Sequence, residues 1–90
     1  MRRAVVLISG VVQGVGYRYW TRTEAHALGL TGFVRNLDDG RVEAIFEGEL
    51  DDVERMLELC RNGPPHADVE NLDIDREEFL GNFSSFDILR

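Results

Sequence analysis

Residues 4–12 have the sequence AVVLISGVV, an almost unbroken apolar run that is rich in β-branched residues. Such a run predicts a central strand of a sheet, because a strand at the surface alternates apolar and polar residues more strictly. From residue 17 onward the apolar period becomes helical, and Gly29 can end the helix. The positions at helical spacing are Tyr17, Thr21, Ala25 and Leu28. The chain therefore opens with a central strand and an amphipathic helix.

The next segments predict a β-hairpin and a second helix. Residues 32–37 and 42–47 flank the turn sequence DDG at 38–40, and the second arm alternates apolar and charged residues. The second helix has its apolar residues at i, i+3, i+7 and i+10, and the sequence NGPP at 62–65 ends it. These apolar positions are Leu50, Val53, Leu57 and Cys60.

Two further strands complete the predicted order. Leu72 and Ile74 alternate with polar residues, and Phe86 and Ile88 mark a short last strand. The order β-α-β-β-α-β with an extra C-terminal strand is that of the split βαβ, or ferredoxin-like, fold. We therefore expect one α+β domain over residues 1–90, with two helices on one face of an antiparallel or mixed sheet. This fold carries unrelated functions, so it does not by itself assign an activity.

The charge of the chain limits its partners. Ten basic residues, all arginine, stand against seventeen acidic residues, and the formal net charge is −7. A surface of this sign repels nucleic acid and anionic membranes, so we expect neither as a partner. A site for a small anion would need a strong local positive potential. With no apolar run near the roughly 18 residues of a membrane span and no signal-peptide pattern, we expect a cytoplasmic protein, and we expect it to be a monomer.

The sequence offers no metal-ligand cluster and no nucleophile paired with a base. Cys60 is the only cysteine, so an internal disulfide is excluded, and its place on the apolar face of the second helix predicts a buried structural thiol. His26 lies within the first helix and His66 follows Pro65, and we interpret both as surface or packing residues. We therefore expect no metal site and no cofactor.

The sequence QGVGYR at 13–18 joins the first strand to the first helix. The first turn of a helix has backbone N–H groups without partners, and the helix dipole makes that end positive. Glycines allow successive N–H groups to form a concave anion-binding nest, and Arg18 can add its planar guanidinium. The loop then predicts a phosphate site. A plain glycine-rich turn stays open as an alternative, whereas a Walker A motif and a dinucleotide fingerprint do not fit.

Asn36 is the second candidate functional residue. Before the sequence DDG its side chain could simply begin a turn, because asparagine bonds readily to nearby backbone. In the split βαβ topology, however, the strand after the first helix runs in the same direction as the first strand. Asn36 would then lie at the sheet edge that carries the glycine loop, where its amide could hold a water for attack on phosphorus.

At these residues the chain resembles the acylphosphatase family. The stretch GVVQGVGYR at 10–18 is similar to the family's phosphate-loop signature, and GFVRN at 32–36 followed by Gly40 is similar to its second signature. The Gly-Pro-Pro after the second helix and the Phe-x-Ile near the C-terminus also agree. The resemblance covers nearly the whole chain and has no departure at a functional position.

The resemblance implies hydrolysis of a carboxyl-phosphate anhydride, without metal, cofactor or phosphoenzyme. It implies that Arg18 and the backbone N–H groups of the loop bind the phosphoryl group of a small acyl phosphate, and that Asn36 orients the attacking water. It also makes inorganic phosphate a product and a competitive inhibitor. The implied phosphate-binding residues are Gln13, Gly14, Val15, Gly16, Tyr17 and Arg18.

Two other functions stay open at this point. The first is a non-catalytic anion-binding or regulatory module of the same fold, which turnover of a model acyl phosphate would exclude. The second is an RNA-binding ferredoxin-like domain, which the acidic charge and the lack of a basic, aromatic sheet face disfavour. Related domains also occur inside larger carbamoyl-transfer maturation proteins.

Overall fold

Five strands and two helices follow one another in the order β-α-β-β-α-β-β in the computed structural model, which describes residues 1–90. The predicted ferredoxin-like α+β fold is confirmed. The strands are β1 (Arg2–Val11), β2 (Thr31–Asn36), β3 (Val42–Gly48), β4 (Asp68–Glu77) and β5 (Phe86–Ile88), and the helices are α1 (Tyr17–Ala27) and α2 (Leu50–Asn62).

The sheet is mixed and has the strand order β4-β1-β3-β2-β5. β1 and β2 each pair antiparallel with β3, whereas β5 pairs parallel with β2. Two strands antiparallel to a common neighbour are parallel to each other, so β1 and β2 end at the same edge of the sheet. The loop after β1 therefore lies at the same edge of the sheet as Asn36, the last residue of β2.

Alternate residues of the central strands face the two helices and form the core. Ala4, Val6 and Ile8 of β1 are fully buried, as the apolar run predicts. Cys60 on α2 is also fully buried, and this burial raises the pKa of its thiol to about 12, so the thiol stays protonated. Leu50 was predicted on the same apolar face, but it is exposed because it stands at the first position of α2, beside a surface cavity. Neither helix has the length and apolar character that crossing a lipid bilayer requires.

Glu47 departs most from the sequence expectation. Its place in the alternation of β3 predicts a solvated side chain, yet the carboxylate is completely buried. It accepts hydrogen bonds from Arg3 Nη1 at 3.1 Å and from the backbone N–H groups of Leu80 and Gly81 at 2.9 and 3.2 Å. The segment after β4 thus covers the sheet face opposite the helices, where the Phe83 ring packs edge-on against Phe33.

Replacing Glu47 by Ala should lower the free energy of unfolding by about 3 kcal/mol, because Arg3 loses one carboxylate and two backbone donors lose their acceptor. Urea denaturation measures the change. Glu54→Ala is the matched control, since Glu54 pairs with Arg76 at the exposed surface and should have a small effect. Equal losses in the two variants would contradict a special role for the buried carboxylate.

Candidate functional site

Two glycines shape the loop between β1 and α1. Gly14 has φ 75° and Gly16, the residue before the helix, has φ 79°. Both values lie in the left-handed region, which strains any residue that carries a Cβ. No side chain caps the start of α1. The loop therefore leads into an exposed helix N-terminus, and only glycine adopts the backbone conformation of positions 14 and 16 without strain.

The backbone N–H groups of residues 13–19 donate no hydrogen bond within the protein. The first bond of α1 runs from Trp20 N to Gly16 O at 3.0 Å. Unpartnered donors in succession, together with the positive end of the helix dipole, have the chemistry to bind an oxyanion. The helix start by itself leaves the N–H groups of Tyr17, Arg18 and Tyr19 without partners, and the loop adds those of residues 13–16 to the same row.

Arg18 lies in the first turn of α1 and is half-buried. Its guanidinium forms no ion pair, in contrast to Arg35, which pairs with Glu43 at 2.6 Å. No carboxylate neutralises Arg18, so its charge adds to the positive potential of the helix end. The guanidinium of Arg22, one turn further along, lies 5.4 Å from the centre of the Tyr19 ring. Although the net charge of the chain is −7, the first two turns of α1 therefore carry positive charge that no carboxylate neutralises, as an anion site requires.

The Tyr17 side chain anchors α1 and faces away from the loop. It is almost fully buried, and its hydroxyl donates a 2.7 Å hydrogen bond to the Cys60 carbonyl oxygen on α2. Burial also raises the pKa of this hydroxyl far above its ordinary value, so it stays neutral. Its ring packs edge-to-face with Trp20, with centroids 5.3 Å apart. Of the groups of Tyr17, only the backbone N–H belongs to the row of unpartnered donors.

Asn36 is the last residue of β2 and pairs with Val42 of β3. By the alternation of the strand it shares a face with buried Val34, which is the face covered by the helices. Its Oδ1 atom is buried and has no hydrogen-bond partner in the protein. Buried polar atoms are almost always satisfied by protein groups or by an ordered water, so this oxygen is free to accept a hydrogen bond from a small polar molecule.

The turn after Asn36 closes without its side chain. Leu37 N donates to Arg41 O at 2.8 Å, and Gly40 N donates to Leu37 O at 3.2 Å. Asp39 accepts bonds from the backbone N and the Nε of Arg41, and the backbone bond is the main reason why the pKa of Asp39 is lowered. The turn-forming interpretation of Asn36 therefore has no side-chain contact to support it.

Gln13 joins the loop to this turn. Its Nε2 donates to Leu37 O at 2.8 Å and to Arg41 O at 2.9 Å. The contact places the loop between β1 and α1 directly beside the end of β2, as the parallel course of β1 and β2 predicts. The resemblance put Gln13 among the phosphate-binding residues, but its side-chain amide is engaged with the turn, and its backbone N–H is the group that faces no acceptor. The sequence gives no signal that distinguishes a loop glutamine whose side chain binds phosphate from one whose side chain bonds to a neighbouring turn.

The remaining candidates lie outside this cluster. A ring nitrogen of His26 is 3.0 Å from the Phe86 carbonyl oxygen, and His66 is exposed. No three His, Cys, Asp or Glu side chains are arranged to hold a metal ion. A surface cavity of about 560 Å³ lies beside Arg2 at the opposite end of β1, and two of its arginines, Arg3 and Arg76, are already paired with carboxylates.

Known proteins agree with this arrangement in sequence and in structure. The family model described as acylphosphatase matches residues 4–88. A curated acylphosphatase of Acaryochloris marina is 58% identical over 84 residues, or 93% of this chain and 89% of the relative. One of Methylococcus capsulatus is 49% identical over 90 residues, covering 100% and 98%. The crystal structure of the Bacillus subtilis acylphosphatase has a TM-score of 0.96 at 34% identity and covers both chains fully. The chain therefore belongs to the acylphosphatase family.

Proposed function

We propose that residues 13–19 hold the phosphoryl group of an acyl phosphate and that Asn36 orients the attacking water. The activity itself follows from the family: the protein hydrolyses the carboxyl-phosphate bond of small acyl phosphates to a carboxylate and inorganic phosphate. The observation that carries the proposal is the row of unpartnered backbone N–H groups beside the unpaired guanidinium of Arg18.

The reaction needs little chemistry from side chains. The water oxygen forms a bond to phosphorus, the bond between phosphorus and the carboxyl oxygen breaks, and the carboxylate leaves with the electron pair. Both water protons go with the phosphate product, and one of them passes to solvent when that product ionises. A carboxylate with a free-acid pKa of roughly 4 needs no general acid at neutral pH. A site without a paired nucleophile or base can therefore catalyse this step by position and electrostatics.

The loop and Arg18 act on the phosphoryl oxygens. In the transition state negative charge lies on the three equatorial oxygens, and donors already aimed at that volume stabilise it without reorganising. The planar guanidinium of Arg18 can donate two parallel hydrogen bonds, which the point charge of a lysine cannot reproduce. Both groups contact the phosphoryl group in the bound substrate and in the transition state.

Asn36 has the narrower role. A water that donates a hydrogen bond to its buried Oδ1 keeps its own lone pairs available for phosphorus. This contact contributes mainly in the transition state, because the water is attacking only there. The hydrogen bonds of Gln13 keep the end of β2 next to the loop, and this closeness supports attack on a phosphoryl group bound at residues 13–19.

Three finer inferences accompany this proposal. Inorganic phosphate, as the product, should occupy the loop and compete with substrate. The acidic residues along the edge strand β4 disfavour pairing with another sheet, which supports a monomer. The single buried thiol of Cys60 fits a reducing compartment such as the cytoplasm.

Phosphate should stabilise the fold by mass action. At about 100 times its dissociation constant the free energy of unfolding should rise by about 2.7 kcal/mol. Thermal unfolding at several phosphate concentrations, against chloride at equal ionic strength, measures the effect. Arg18→Ala should lose most of it, whereas Arg22→Ala removes the same charge one turn away and should retain it. Equal stabilisation of the parent and Arg18→Ala would place the anion elsewhere.

Substitutions at Arg18 and Asn36 should affect different kinetic constants. Arg18→Ala should lower kcat and weaken phosphate inhibition, and Arg18→Lys should restore little of either. Asn36→Ala should lower kcat by about 10²-fold, the scale of losing one positioning contact, while phosphate inhibition stays near the parent value. Steady-state hydrolysis of benzoyl and acetyl phosphate, with phosphate as inhibitor, measures both.

Asn71→Ala, on the exposed part of β4, serves as the control asparagine and should hydrolyse at the parent rate. A near-parent kcat for Asn36→Ala, together with a lower unfolding midpoint, would make Asn36 a turn residue and contradict its role at the water.

A further inference from the structure

The side chain of Gln13 is committed to two backbone acceptors. Its Nε2 donates to Leu37 O at 2.8 Å and to Arg41 O at 2.9 Å, so both hydrogens of the amide are in use. The acceptors lie 24 and 28 positions away in the sequence. No other hydrogen bond joins residues 12–19 to residues 36–41.

The two acceptors are the carbonyl groups that close the β2–β3 turn. Leu37 O also accepts from Gly40 N at 3.2 Å, and Arg41 O also accepts from Leu37 N at 2.8 Å. Gln13 therefore bonds to the turn at both of its closing contacts. The residue immediately before this turn is Asn36, whose Oδ1 lacks a partner.

We propose that Gln13 is a positioning residue, whose amide sets the distance between the phosphate-binding backbone of residues 13–19 and the side chain of Asn36. This inference rests on the proposed function, because it matters only if Asn36 holds the attacking water. A displacement of about 1 Å between reacting groups can cost on the order of 10²-fold in rate. The two hydrogen bonds from Gln13 to the turn limit a displacement of this size between the loop and Asn36.

The chemistry requires glutamine. An ionised Glu has no donor and would face two carbonyl oxygens, Met has a similar length but no donor, and Asn is one methylene too short to reach the same acceptors. Gln13→Met should lower kcat by about 10-fold or more. Phosphate inhibition should change by less than about 3-fold, because the backbone N–H groups and Arg18 still bind the anion.

A double-mutant cycle with Asn36→Ala separates positioning from plain stability. If Gln13 acts through Asn36, Gln13→Met should change kcat little once Asn36 is Ala, so the two losses do not multiply. Multiplying losses, or a parent kcat in Gln13→Met, would overturn the inference alone. A parent kcat in Asn36→Ala would overturn the proposed function and this inference with it.

Thr21→Val is the stability control. It removes the buried hydrogen bond from Thr21 Oγ1 to Tyr17 O, 2.8 Å long, and should lower the unfolding midpoint while kcat well below that midpoint stays at the parent value. A similar drop in kcat for Thr21→Val would mean that Gln13→Met acts through stability.

Gln13→Glu adds a readout in pH. Its carboxyl can donate one hydrogen bond to a turn carbonyl only when protonated, so its kcat relative to the parent should rise as the pH falls through the pKa of that carboxyl. The same ratio for Gln13→Met should be independent of pH, because Met has no proton to gain. Identical flat ratios for both variants would show that the hydrogen bond to the turn does not govern the rate, and would overturn the inference.

Discussion

The backbone N–H groups of residues 13–19 have no acceptor inside the protein. The surrounding structure fixes the loop in the conformation that leaves these groups without partners. Gly14 and Gly16 bend the chain through left-handed conformations, and the Tyr17 side chain anchors the helix start through Cys60 O. Backbone donors strongly favour an acceptor, and a phosphoryl group supplies several at once. The positive end of α1 and the uncompensated charge of Arg18 add to this attraction in a chain whose net charge is −7.

The sheet determines what stands opposite this loop. Because β1 and β2 are both antiparallel to β3, the strand directions alone bring the loop and Asn36 to the same edge of the sheet. The Gln13 amide then bonds the loop to the turn after Asn36. The donors and the buried Oδ1 of Asn36 are held by different parts of the fold, so in the proposed mechanism the geometry of attack depends on how firmly these parts are joined.

Local patterns in the sequence predicted most of the fold, and they placed Arg18 and Asn36 at the sheet edge where the structure has them. The strand-to-helix change of period, the glycine loop and the position of Asn36 are all readable within short windows. The buried state of Glu47 was missed because it depends on the segment that follows β4, thirty and more positions away. The direction of the Gln13 side chain was missed for the same reason, since its acceptors are backbone atoms that any sequence would supply. β4 extends beyond the alternating Leu72 and Ile74 because its pairing with β1, rather than its own pattern, sets its length.

The central claim is that a phosphoryl group binds to the backbone donors of residues 13–19. A titration of the ¹⁵N-labelled protein with inorganic phosphate, followed by ¹H–¹⁵N NMR, tests it most directly. The amide resonances of residues 13–19 and the Arg18 Nε resonance should move together with one dissociation constant, while those of Arg2 and Arg76 beside the large cavity stay in place. Phosphate-dependent shifts that cluster at the cavity and leave the loop amides unmoved would contradict the claim.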